Sequence, residues 1–92
     1  MGKETVLFKN EEKVSNREAA DLLRKLADKI EKGKVILSLG GKETVLKIPE
    51  RVEVEVKAER EEGKKKTTKK LEVEIEWRVG DKAKAHGPLK VK

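Results

Sequence analysis

The chain has no cysteine and no glutamine, only two prolines, one histidine, and Phe8 and Trp77 as its aromatics. Each shortage excludes something. Without cysteine there are no disulfides and no thiolate metal sites. That fits a reducing compartment, and the expected location is cytoplasmic. One histidine and no cysteine exclude a zinc centre in practice. The histidine, His86, stands between Ala85 and Gly87. A general base must be held rigidly near its target, and this segment offers nothing to hold it. The chain is therefore expected not to be an enzyme, and no cofactor-binding or metal-binding residues are named. Gly40-Gly41 lacks the spacing of a phosphate-cradling glycine loop and is read as a hairpin turn. No stretch approaches the ~20 apolar residues of a membrane span. The apolar run Val6-Leu7-Phe8 falls short of the about 7–15 residues of a signal-peptide core. No membrane role is expected.

Charge is abundant: 46% of the 92 residues are Asp, Glu, Lys or Arg, and the net charge is +6. Rich Lys and Glu with few amides is a composition common among hyperthermophile proteins. The apolar residues are regularly spaced, which argues for a folded domain rather than a disordered polyampholyte.

Ser15-Asn16-Arg17-Glu18 has the spacing of a capping box. Ala19, Leu22, Leu23, Leu26, Ala27 and Ile30 then recur on one helical face. Asp21/Lys25 and Asp28/Lys32 are acid-before-base pairs four residues apart. Gly33 suits the residue beyond the helix end. The pattern predicts a helix over 16–32. Strands are predicted at 5–8, 35–39, 44–48, 52–59 and 71–79. The last two alternate strictly between apolar and charged residues, the mark of a half-buried strand. Pro49 ends the third strand because it cannot donate to a ladder. The expected fold is α+β: one amphipathic helix packed on a mostly antiparallel sheet of about five strands, in the order β-α-β-β-β-β. Residues 1–79 form the expected domain, and 80–92 a basic flexible tail.

The helical pattern, from Ser15 and Glu18-Ala19-Ala20 through Leu22-Leu23-Arg24, Leu26-Ala27-Asp28 and Ile30 to Gly33, resembles the amphi-Trp domain, a small prokaryotic domain. So do Pro49, Val52-Glu53-Val54-Glu55-Val56 and the closing Glu74-Ile75-Glu76-Trp77. The resemblance spans about residues 4–79. It implies an α+β fold with a characteristic tryptophan on the final strand, and it implies no activity. Trp77 is in phase with Leu71, Val73 and Ile75, so it is expected to point into the core.

The positive charge is unevenly placed. Residues 61–70, read as a loop, hold five lysines against two glutamates; residues 80–92 hold four lysines against one aspartate. Each excess is three, and together they equal the net charge. Lysines on loops and tails reach phosphates readily. Lys64, Lys65, Lys66, Lys69, Lys70, Lys82 and Lys84 are the candidate nucleic-acid-binding residues. The partner would be nucleic acid or a ribonucleoprotein, held by phosphate contacts with weak sequence selectivity, since exposed aromatics for base stacking are missing. The plain alternative is a solubilising loop and tail. A different function is a protein-interaction or self-association module, with a protein partner or a second copy on the acidic outer sheet face or an open strand edge. Glu53, Glu55, Glu59, Glu72, Glu74 and Glu76 would form that face. They could also meet a divalent cation, against the plain reading of a solvated surface.

Overall fold

The computed structural model describes residues 2–80. The described residues fall into two compact units, divided between Glu50 and Arg51. In the first, α1 runs Asn16–Glu31, followed by strands β1, Lys34–Leu39, and β2, Lys42–Lys47. In the second, β3 is Glu53–Glu62 and β4 is Thr67–Glu76. The fold is α+β, but the expected single sheet of about five strands is instead two antiparallel two-stranded sheets, β1–β2 and β3–β4.

The predicted strand at 5–8 does not form. A strand needs a backbone ladder, and this segment has a single tie to β2: the Thr44 hydroxyl donates to the Leu7 carbonyl at 3.2 Å. Phe8 is half-buried while Val6 and Leu7 stay exposed. The composition of 5–8 is β-rich, but composition supplies no partner.

The helix begins as its spacing predicts. Ser15 is extended (φ −74°, ψ 161°), and its hydroxyl accepts from the Glu18 amide at 3.0 Å. The Glu18 carboxylate accepts from the Ser15 amide at 2.9 Å. Two of the donors left over at a helix start are thus satisfied. At the other end, Lys32 caps the helix and Gly33 follows at φ +86°, a conformation that L side chains rarely adopt. The Gly33 carbonyl then accepts from the Ile48 amide at 2.9 Å. Of the predicted surface pairs, Asp28–Lys32 forms at 3.3 Å. Asp21 does not pair with Lys25; its carboxylate meets Arg24 one residue earlier, at 2.7 Å.

The helix packs against β1. Antiparallel register places Val35 opposite Leu46 and Leu37 opposite Thr44, so these four share one sheet face. Val35 is the one buried apolar residue among the described residues, at 5% exposure. Leu37, Thr44, Leu46 and Ile48 are half-buried, as are Ala19, Leu26 and Ile30 of the expected helical stripe and Ala20 outside it, whereas Leu22, Leu23 and Ala27 of that stripe stay exposed. Ile36 and Val45, paired on the opposite face, are about half exposed. Gly40 and Gly41 both have positive φ, 58° and 81°, which is the two-residue turn that matches the twist of a hairpin.

The β3–β4 hairpin is longer than its alternation predicts at one end and shorter at the other. Its ladder extends to Glu62↔Thr67, so the connection is residues 63–66 alone, not a loop over 61–70. Thr67 and Thr68 are β-branched, and Glu59↔Lys70 sets opposite charges across the strands, both favourable to pairing. At the other end β4 stops at Glu76, so Trp77 lies just beyond the strand. It is half-buried rather than enclosed.

Candidate functional site

The hairpin sorts its side chains by parity. One face carries the cross-strand pairs Val54↔Ile75, Val56↔Val73 and Ala58↔Leu71, then Arg60↔Lys69. The other carries Glu53↔Glu76, Glu55↔Glu74, Lys57↔Glu72 and Glu59↔Lys70. The turn joins them, and the Gly63 amide closes it by donating to the Lys66 carbonyl at 2.8 Å. A Cβ on Gly63 would lie 3.1 Å from that carbonyl oxygen, so the close approach favours glycine.

The candidate lysines separate on this scaffold. Lys64, Lys65 and Lys66 fill the turn and are exposed. Lys69 sits on β4 directly across from Arg60, on the face that is apolar further along. Among the described residues no ion pair engages these four lysines. Arg60 holds Glu62 at 3.0 Å. Lys70 points to the acidic face and sits between Glu59 and Glu72, at 3.6 and 3.7 Å. Lys57 bridges the same two carboxylates at 3.7 and 3.6 Å. Lys57, Glu59, Lys70 and Glu72 thus form a closed ring of alternating charge. Each contact is exposed and contributes at most about 1 kcal/mol, but the ring holds Lys70 in place. Lys82 and Lys84 lie outside the described residues.

Toward the open end the acidic face sets carboxylates against carboxylates. Glu55 and Glu74 are directly opposite each other. The Glu55 carboxyl is held above the ordinary carboxylate range, chiefly by a hydrogen bond shared with Glu74 and by repulsion from its charge; Glu72 and Glu53 add to the repulsion. Two facing carboxylates that share a proton resist full ionisation. Among the described residues no three carboxylate or imidazole groups converge as a metal site would require.

Arg60 was not among the sequence-named groups, and Glu59 and Glu72 were named only as part of an acidic face, not as partners of Lys57 and Lys70. Their roles depend on register, which requires knowing that the turn is 63–66. The signal was present in Gly63 followed by three lysines, with the opposite charges of Glu59 and Lys70 on either side of that turn.

The second half of this α+β chain is thus a two-faced, charge-sorted β-ribbon. The chain belongs to the Amphi-Trp domain family, whose model matches residues 1–92. No curated protein and no solved structure matches the chain. Among the described residues no helix is long and apolar enough to cross a membrane.

Proposed function

We propose that this domain is a non-catalytic binding module that contacts nucleic acid, free or within a ribonucleoprotein, through phosphate groups at the β3–β4 turn. One observation carries the reading: Lys64, Lys65, Lys66 and Lys69 cluster around a tight turn without an ion-pair partner among the described residues. Unpaired ammonium groups bind phosphate without first breaking an internal contact, and they release counterions when they do. Lys70 is a weaker contributor because Glu59 and Glu72 already hold it. Lys82 and Lys84 extend the basic surface in sequence. Phosphates would be read with little base selectivity, since the turn holds no aromatic for stacking. A cytoplasmic setting follows from the same reading, because a cysteine-free, basic binding module suits a reducing, nucleic-acid-rich compartment.

Fluorescence anisotropy with a labelled duplex across a salt series tests this. Four neutralised phosphates give a log–log slope of about −3.6 on duplex DNA, at ~0.9 per contact. Replacing Lys64, Lys65 and Lys66 by alanine is expected to flatten the slope by about 2.7 and weaken binding uniformly across sequences. Unchanged affinity in that variant sinks the proposal.

A second reading has its own observation. Glu53↔Glu76 and Glu55↔Glu74 place like charges opposite each other. A basic protein partner would relieve that repulsion. A complex that survives loss of the turn lysines but is weakened by Glu55→Lys or Glu74→Lys would favour it.

A further inference from the structure

The β3–β4 turn has two sides, and their charges differ. Strand alternation assigns each rung residue to one side or the other. On the rungs nearest the turn, one side carries Arg60, Glu62 and Lys69, with Thr67 across from Glu62. The other carries Glu59, Glu61 and Lys70, with Thr68 across from Glu61. The first side therefore sets two cations against one carboxylate, and the second sets one cation against two. All eight residues belong to the same hairpin, so its register alone creates the contrast.

Ion pairing widens it. On the second side Lys70 Nζ lies 3.6 Å from Glu59 and 3.7 Å from Glu72, and Lys57 closes the ring. An ammonium is a compact charge with three donors, and two carboxylates already face this one. A phosphate on that side would also meet the charge of Glu61. On the first side Lys69 has no ion-pair partner among the described residues. Arg60 Nη2 holds Glu62 Oε2 at 3.0 Å. That contact engages one corner of a guanidinium that has five N–H donors. The donors left over form the planar fork that suits a phosphate.

We propose that phosphate is held on the Arg60–Lys69 side of the turn, with Arg60 as a binding residue beside the turn lysines, and that the Lys57–Glu59–Lys70–Glu72 ring closes the other side to it. This preference for one side rests on the phosphate-binding reading and gives the backbone a path, from Lys64, Lys65 and Lys66 onto Arg60 and Lys69. Lys70, the next residue in the chain, makes no phosphate contact. Arg60 as a fifth contact brings the expected log–log slope to about −4.5 on duplex DNA.

Fluorescence anisotropy of the full chain with a short labelled DNA duplex, across a salt series, tests it. Arg60→Ala is made together with Glu62→Gln, so that a bared carboxylate does not account for the loss. The pair is expected to flatten the slope by about 0.9 relative to Glu62→Gln alone. Arg60→Lys on the same background keeps the charge and is expected to restore the slope, which a merely structural role for the arginine would not. Lys70→Ala changes the neighbouring rung on the other side and is expected to leave the slope as it was. Circular dichroism reports whether each variant keeps its strands. Equal flattening by the Arg60 and Lys70 variants overturns the proposal, because charge near the turn then counts without regard to side. An unchanged slope in Arg60→Ala also overturns it, and the turn-lysine reading survives if alanine at Lys64, Lys65 and Lys66 still weakens binding. A wild-type chain that does not bind the duplex at low salt overturns both.

Discussion

Replacing Ser15 by alanine removes one half of a reciprocal pair and leaves the other intact. The Ser15 hydroxyl accepts from the Glu18 amide at 3.0 Å, and the Glu18 carboxylate accepts from the Ser15 amide at 2.9 Å. Only the first bond disappears in Ser15→Ala. Loss of an N-cap oxygen costs about 1 kcal/mol. For a domain under 100 residues that lowers the melting temperature by about 4–8 °C. Far-UV circular dichroism reads it directly, because α1 is the only helix among the described residues. A second readout follows from charge. The Glu18 carboxyl is held below its ordinary value, first by the Ser15 backbone amide and second by the Ser15 side chain. Ser15→Ala removes the second cause alone, so the Glu18 titration is expected to rise only part of the way back. The sign for stability is that of a depressed acid. Its contribution is present above the ordinary carboxylate value and is lost as pH falls through the lowered value. Wild type should therefore lose helix stability at acid pH over a wider span than Ser15→Ala. An unchanged melting temperature, or a Glu18 titration that stays where it was, would refute the capping argument.

Two further outcomes follow from the same structure. Val35→Ala is expected to cost about 2–3 kcal/mol, from two lost methyl groups at ~0.8 kcal/mol each plus a cavity term, measured by urea denaturation; a loss below about 0.5 kcal/mol would mean that Val35 is not a core residue. Glu74→Gln replaces the carboxyl that raises Glu55 through their shared hydrogen bond and through its charge. With a raised carboxyl, stability falls as pH climbs from the ordinary carboxylate value through the raised one, and stays lower above it. The variant is expected to lose that decline, and an identical pH profile in both proteins would contradict it.

Local features were legible in the sequence. The capping box, the helix itself, the Gly33 exit and the Gly40-Gly41 turn each depend on residues within a few positions of one another, although Leu22, Leu23 and Ala27 of the expected apolar stripe stay exposed. Alternation located β3 and β4 for the same reason. Pairing was less legible, because it depends on distant partners. Thr5–Phe8 has strand composition but gains only the Thr44 tie. Residues 61–70 look like a charged loop, yet the ladder runs through Glu61, Glu62 and Thr67–Lys70. Lysine is a poor strand former on its own, and here the cross-strand partners override that preference. Register then decides which lysines stand apart. Lys69 and Lys70 are neighbours in sequence but lie on opposite faces, one across from Arg60 and the other locked between two glutamates. Trp77 continues the phase of Ile75, but β4 ends one residue before it.

The central claim is that the basic turn of the β3–β4 hairpin holds phosphate. The most direct test is a residue-resolved NMR titration of the full chain with a short duplex at low salt, repeated at high salt. Amide shifts are expected to concentrate at Gly63, Lys64, Lys65, Lys66 and Lys69 and to fade as salt is raised. Shifts centred instead on α1 or on the Glu53–Glu76 end of the ribbon, or shifts indifferent to salt, would contradict the claim.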